Sequence, residues 1–455
     1  MLFQRFEAKG LAHFSYLVGD GKQALVIDPQ RDCEVYVAAA ARAGLQIQYI
    51  LETHRNEDYL VGSVELADRT GARVLHSALD DLPYGYGGRI QDGEVLRVGQ
   101  LRLKAIHTPG HTRGHMSYLL QDPSGSPWIL FSGDALFAGD VGRTDFYGED
   151  KLEEMCGLLH DSIFQKILPL GDGVLLCPAH GSGSACGTVI ADRPWTTIGL
   201  ELKLNAKLMF TEKAEFIKHC ARMLDYPPYF RRMEELNLQG PPLLGHLPVP
   251  PPLSVGEFEK LLPECVVLDT RMELGFGGGH VPGAFSIWEE GVPGWAGWFL
   301  PYGKPILLVS DQADVSATVR ALVRMGYDRF AGYLLGGMLS WHKAERPTGR
   351  VRMMSPQEIC TLLETEPDLW ALDVRSDTEV AGLAIPGSHH IHLSHLPQHL
   401  DQVPNDREVY VFCGSGVRSM TAASLLKRGG YDQLTVVLGG IMGWSALACQ
   451  LPIAR

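Results

Sequence analysis

The chain has 455 residues, room for about three domains of ordinary size. At 45% hydrophobic and 20% charged residues it can build packed cores throughout, which excludes a disordered or fibrous chain. The net charge is −13 and no basic run interrupts it, which speaks against nucleic acid as a partner.

Taken in order, the apolar patterns predict strands at 16–18, 24–27, 47–51, 101–106, 128–131 and 174–177, and helices at 34–43, 63–69 and 151–167. The sequence from Pro241 to Pro252, PPLLGHLPVPPP, resists helix and sheet and reads as a connector. Beyond it the sequence repeats: Val267-Leu268-Asp269-Thr270-Arg271 returns as Ala371-Leu372-Asp373-Val374-Arg375. Val281-Pro282-Gly283-Ala284 returns as Ile385-Pro386-Gly387-Ser388, and the Gly336-Gly337 to Trp341 ending returns at Gly439-Gly440 to Trp444. Within each copy short apolar runs, 305–309 and 409–412, alternate with helical patterns such as 419–427, as in parallel α/β sheets. The predicted domains are therefore 1–240, a linker at 241–253, and two copies at 254–347 and 353–455. No apolar stretch approaches the ~18 residues of a membrane span, and the first residues lack the pattern of a signal peptide. The expectation is a soluble, cytoplasmic chain with no membrane partner, and the nine cysteines, which form no CxxC pair, are expected to be free thiols. A homo-oligomer stays open.

Four predicted strands run into metal-ligand residue types: Thr53-His54, Thr108-Pro109-Gly110-His111, Ser132-Gly133-Asp134 and Pro178-Ala179-His180. Strand ends gathered at one sheet edge are where α/β folds build sites. Any one of these residues alone would be an ordinary polar side chain, and His76, His107, His115 and His160 are read that way. This order and spacing resemble the metallo-β-lactamase superfamily across about residues 1–210. The resemblance implies an N-terminal αββα sandwich. The early HxHxDH motif of that superfamily reads here His54-Arg55-Asn56-Glu57-Asp58-Tyr59, so two of its histidines are absent. Asn56 removes a ligand from the first site of the two-metal hydrolases and Tyr59 one from the second, which argues against a binuclear zinc enzyme.

His54, His111 and Asp134 remain, two histidines and one carboxylate, a set suited to a single non-haem Fe(II) with open positions, zinc being the lesser fit. It is also the ligand set of the persulfide dioxygenase branch, which the segments Gly133 to Phe137 and Gly142 to Phe146 resemble as well. A rival set of Asp58, Asp134 and His180 is richer in oxygen and suits a harder ion. On the first reading Asp58 and His180 stand behind the ligands or face the substrate. Arg113, Arg143 and Arg193 lie near the motifs and are candidates to meet an anion.

Cys413-Gly414-Ser415-Gly416-Val417-Arg418 follows a predicted strand and opens a helix, so its backbone N–H groups favour a thiolate and a bound anion. With four residues between Cys413 and Arg418 it resembles the active-site loop of rhodaneses. The resemblance covers 353–455 and implies two rhodanese-like parallel-sheet α/β domains. In the middle copy the equivalent positions are Ser310, Asp311, Ala313, Asp314 and Val315, so that copy is read as structural or docking. Cys186 lies in a glycine-rich loop just past His180. Fusions of this kind carry a functional cysteine in that region, which implies a sulfur relay; the plain alternative is a loop thiol with no role.

The resemblance as a whole implies a persulfide dioxygenase–sulfurtransferase fusion with one Fe(II) per chain. It would use O2 to oxidise a low-molecular-weight thiol persulfide to sulfite and form thiosulfate through Cys413. The alternatives are a glyoxalase II-like thioester hydrolase joined to a rhodanese, and a non-enzymatic sulfur carrier or scaffold.

Overall fold

Residues 1–366, 369–385 and 387–445 are described by the structure, a computed structural model. Pro386 of the repeated motif and Cys449 lie outside the described residues. The chain divides into two compact units, Met1–Leu247 with Arg320–Tyr327, and Pro248–Val319 with Asp328–Arg455.

In the first unit one six-stranded sheet runs Leu2–Ala8, His13–Asp20, Gln23–Ile27, Gln46–Leu51, Arg73–Ser77 and Gly88–Ile90. The second contains Val95–Val98, Leu101–His107, Met116–Gln121, Pro127–Gly133, Leu175–Pro178 and Thr196–Thr197. Alternation in Leu101–His107 turns Leu101, Leu103 and Ala105 inward and leaves Arg102 and Lys104 outside. The inward residues join Val18, Leu25, Leu51, Tyr118 and Phe131 in one core between the sheets. Burying such side chains contributes about 1.5–3 kcal/mol each, which is what holds two sheets face to face. Helices Glu34–Arg42 and Ser63–Thr70 pack apolar residues, Tyr36 and Leu66 among them, on the outside of the first sheet. Helix Glu149–Asp161 covers the second sheet through Cys156 and Leu159. The result is the expected αββα sandwich.

Two local expectations need correction. The predicted helix at 151–167 is an α-helix over Glu149–Asp161 that loosens into a π-turn, Ser162–Ile167, and a 3-10 turn, Leu168–Leu170. Pro169 supplies no N–H for the next α-helical bond. The proline-rich connector is tied down at both ends. Leu244 N–H donates to Glu65 and Arg69 donates to the Gly245 carbonyl, while Pro252–Leu253 form a short parallel strand beside Tyr333 and Leu334.

The second unit holds two five-stranded parallel sheets of identical strand order. In the first copy Val266–Asp269, Ile306–Val309 and Phe330–Leu334 are central to the pairing; in the second Trp370–Asp373, Val409–Phe412 and Leu434–Val437. The repeated Asp-x-Arg motif is structural in both copies. Asp269 accepts two bonds from the Arg271 guanidinium, which also donates to the Gly279 carbonyl; in the second copy Asp373 accepts from the Arg375 guanidinium, which also donates to the Leu383 carbonyl. The two copies share a face. Helix Val417–Arg428, buried from Ser419 to Leu426, packs on its own sheet and on strand Phe285–Ser286 and helix Glu273–Gly278 of the other copy. Ser424 Oγ accepts from Ser286 N–H at 3.1 Å, and the Arg428 guanidinium stands 3.9 Å above the Phe285 ring.

Among the described residues Cys33, Cys156, Cys177, Cys186, Cys220, Cys265 and Cys413 are free thiols. Cys360 is disulfide-bonded, against the expectation from spacing alone.

Candidate functional site

Strands Gln46–Leu51, Leu101–His107, Pro127–Gly133 and Leu175–Pro178 end at one edge of the sandwich, and each hands its predicted residue to that edge. His54, His111 and Asp134 are buried and offer ligand atoms within 4.8 Å of one another. His111 Nε2 lies 3.4 Å and His54 Nε2 3.8 Å from Asp134 Oδ2, too far for direct hydrogen bonds. Neither Nε2 has any hydrogen-bond partner. Two buried, orphaned ring nitrogens facing a carboxylate fit a metal ion between them.

The opposite ring nitrogens explain this aim. His111 Nδ1 meets the Arg143 carbonyl at 2.9 Å, fixing its tautomer with the proton on Nδ1. His54 Nδ1 meets Thr53 Oγ1 at 2.9 Å, and that hydroxyl donates to Asp28, whose carboxyl burial pushes up to about 7. Asp134 is set by His115, whose Nε2 accepts the Asp134 N–H at 2.9 Å. Burial, helped by the His111 charge, holds His115 down to about 3, so the ring stays a neutral acceptor. Burial would push the Asp134 carboxyl up, but His180, His111 and His54 together hold it far below the carboxylate range. Gly133, at φ +52°, leaves room for His115 Nε2 and Thr53, which a Cβ would meet at 2.5 and 2.8 Å.

His115, read from sequence as an ordinary polar residue, is thus a positioning group. Glu57, which carries no motif signal in the sequence, faces the same cluster. It is wholly buried, with Oε2 3.8 Å from His111 Nε2 and 3.9 Å from His54 Nε2, and that oxygen has no hydrogen-bond partner. Its place as a variable position inside the early motif gave no signal.

Asp58 and His180 lie beside this set. His180 Nδ1 contacts Asp134 Oδ1 at 2.8 Å and its Nε2 lies 2.9 Å from Asp58 Oδ2. Cys186 is fully buried against both, and burial pushes its thiol up. A buried, protonated thiol is poorly placed to meet a diffusing persulfide. Arg143 is not free for an anion. Its Nε and Nη2 grip Asp145 at 2.7 and 2.8 Å, and its remaining donors reach the Ala185, Leu224 and Asp225 carbonyls. It pins the segment carrying the His111 partner to the Cys186 loop. Arg193 is paired with Glu201 at 2.6 Å, while exposed Arg113 lies over the Tyr147 ring.

In the second unit Cys413 follows strand Val409–Phe412, and Gly416 N–H donates to its Sγ at 2.9 Å. Gly416, at φ +105°, caps helix Val417–Arg428, and the Cys413 and Gly414 carbonyls accept from Ile441 and Met442. Together these place Gly414, Ser415, Gly416 and Val417 in a bend around the thiol. Arg418 is held in a two-armed ion pair with Glu379, at 2.6 and 2.8 Å. Glu379 also closes the capping box of the helix begun by Ser376. In the first copy the equivalent loop has Ser310 accepting from Gln312 N–H and Asp314 accepting from Ser316 N–H, a self-contained turn with no thiol.

Residues 8–182 match the metallo-beta-lactamase superfamily, and residues 254–344 and 355–447 each match the rhodanese-like domain. The persulfide dioxygenase ETHE1, mitochondrial, of Bos taurus is 32% identical over 203 residues, 42% of this chain and 73% of the relative. The hydroxyacylglutathione hydrolase GloC of Haemophilus influenzae is 28% identical over 211 residues, 42% of this chain and 90% of the relative. A metallo-beta-lactamase structure from Staphylococcus aureus subsp. aureus COL superposes with a TM-score of 0.66 at 31% identity, spanning 74% of this chain and 99% of that one. The chain therefore belongs to the metallo-beta-lactamase superfamily, as a member homologous to persulfide dioxygenases and continued by two rhodanese-like domains.

Proposed function

We propose that this chain is a persulfide dioxygenase–sulfurtransferase. The observation that carries the reading is the pairing, in one polypeptide, of an orphaned two-histidine, one-carboxylate cluster with a thiol-bearing loop at a helix start. His54, His111 and Asp134 would hold one Fe(II), which when bound supplies the means to bring a persulfide sulfur and dioxygen together. The protein's own part is orientation: Thr53 and the Arg143 carbonyl keep both Nε2 lone pairs on the cluster, and His115 keeps Asp134 in place. The net reaction takes a thiol persulfide, O2 and water to the free thiol and sulfite with release of protons.

At the second site the Cys413 thiolate would attack the outer sulfur of another thiol persulfide, breaking its S–S bond, releasing the free thiol and leaving Cys413 as a persulfide. Attack of sulfite on that outer sulfur forms the S–S bond of thiosulfate and returns the Cys413 thiolate. The loop N–H groups steady the departing thiolate, as a helix start does for any anion.

Oxygen consumption by iron-loaded protein given glutathione persulfide or coenzyme A persulfide is the direct test. Uptake matched by sulfite or thiosulfate is expected with one of them, and no uptake with either overturns the dioxygenase reading.

A further inference from the structure

Five of the chain's 17 histidines fall within the eleven residues from His389 to His399, in the copy that carries Cys413. His389 stacks on the Trp370 ring at 4.3 Å, so packing accounts for it. The other four, with Asp377 and Gln402, line a cavity of about 230 Å³. Local chain geometry gathers them. The His395 and Leu396 N–H groups both donate to the His392 carbonyl, and two 3-10 turns, Leu396–Gln398 and Leu400–Gln402, follow. His392, His395 and His399 therefore recur three and four residues apart along one side of a helical path. Ring nitrogens of His392 and His395 come within 4.8 Å of each other, and the His395 and His399 ring centres are 6.4 Å apart.

Three of the four rings are oriented from behind. His390 Nε2–H donates to the Arg375 carbonyl at 2.7 Å, and His399 Nδ1–H to the His395 carbonyl at 2.8 Å. A carbonyl only accepts, so the opposite nitrogen of each neutral ring holds a lone pair. His392 Nδ1 meets the buried Ser394 hydroxyl at 2.6 Å. Imidazoles held through their second nitrogen are the arrangement that metal-binding histidines adopt. The His390 Nδ1 lone pair faces Asp377 Oδ1 at 3.6 Å, one acceptor opposite another. Two ligands of one tetrahedral ion lie about 3.3 Å apart, so this pair is spaced for a cation between them. Neither Lys nor Arg lines the cavity among the described residues, so nothing there draws an anion near neutral pH. The strand registers Asp269–Ser286 and Asp373–His390 set Ser286, Trp288, Gly291 and Trp295 at the equivalent positions of the other copy, which has none of the four histidines and no thiol in its loop. Strands Trp370–Asp373, His389–His390 and Val409–Phe412 are parallel, so the histidines follow the same sheet edge as Cys413.

We propose that His390, His392, His395 and His399 form a binding site for a divalent transition-metal ion of the zinc, nickel or copper type, with Asp377 adding a carboxylate. Imidazole is the ligand these ions share. Magnesium and calcium, which take oxygen ligands, do not suit the donor set. The cavity leaves room for waters to complete the shell, and binding needs no change of oxidation state. This site lies in a different compact unit from His54, His111 and Asp134, and it stands whether or not that cluster supports a dioxygenase.

Calorimetric titration of the untagged, iron-loaded full-length chain with Ni(II) tests the site without turnover. The wild type should take up one Ni(II) per chain while its iron content stays constant. The double variant His392→Ala/His395→Ala should lose that ion or bind it at least roughly tenfold more weakly. His389→Ala and Cys413→Ser should bind as the wild type does, and His111→Ala should lose iron and keep the Ni(II) site. Mg(II) in place of Ni(II) should give no saturable binding. Absence of saturable Ni(II) binding by the wild type, or undiminished binding by the double variant, overturns the proposal. If the double variant fails to fold, undiminished binding by His395→Gln, a change at an exposed side chain, overturns it equally.

Discussion

Glu57 and Glu379 are two carboxylates with opposite surroundings, and each carries a prediction. Glu57 is sealed beside two imidazoles with one oxygen unmatched, so its negative charge belongs to the electrostatics of the first cluster. Glu57→Gln keeps the volume and removes the charge. Iron affinity, measured by competition with a chelator, is expected to fall roughly tenfold, the size seen when groups around a metal are altered. Glu379 is partly exposed and paired with Arg418, and that hydrogen-bonded pair holds its carboxyl down to about 2 from the usual 4.5. A lowered value in the folded state means the stabilisation is present above about pH 4.5 and is lost as pH falls through about 2. Solvent screening keeps it to about 1 kcal/mol or less. The unfolding midpoints of wild type and Glu379→Gln should therefore differ slightly near neutrality and converge toward pH 2. The same substitution leaves Arg418 uncompensated beside Cys413, so KM for thiosulfate as sulfur donor should fall.

Two glycines set the two sites within their elements. A Cβ at Gly142 would collide with the Asp134 carbonyl oxygen and stand 3.3 Å from His111 Nδ1. A Cβ at Gly440 would collide with the Cys413 carbonyl oxygen and stand 2.8 Å from the Gly414 backbone. Overpacking of this kind costs about 1–3 kcal/mol. Gly142→Ala should lower iron content while sparing sulfur transfer, and Gly440→Ala should do the reverse; a matching loss of both in either variant would contradict this. Legibility also follows the element. His54, His111, Asp134 and His180 could be read because each ends an apolar run, and Cys413 because its loop joins strand to helix. Glu57 and His115 could not, since one fills a variable motif position and the other is a single histidine whose acceptor role exists only once Asp134 folds over it. Strands such as Leu2–Ala8 and Arg73–Ser77 have mixed polar faces and escaped the pattern as well. The burial of Cys186 is a tertiary fact that glycine-rich sequence around it does not disclose.

At the scale of the molecule the His54, His111 and Asp134 cluster and the Cys413 loop lie in different compact units. Cys413→Ser should accordingly leave oxygen uptake intact while sulfite accumulates in place of thiosulfate, read by ion chromatography; unchanged thiosulfate output would contradict the assigned order of steps. The domain repeat was legible because internal similarity needs no outside reference, whereas the tied-down connector was not, since Glu65 and Arg69 lie far from it in sequence.

The helix that opens at Cys413's loop has its flank covered by strand Phe285–Ser286 and helix Glu273–Gly278 of the copy that lacks a thiol. That copy is therefore part of the mould in which the Cys413 loop is cast. Deleting that copy would strip the covering surface from helix Val417–Arg428 and so expose residues that the packing now buries.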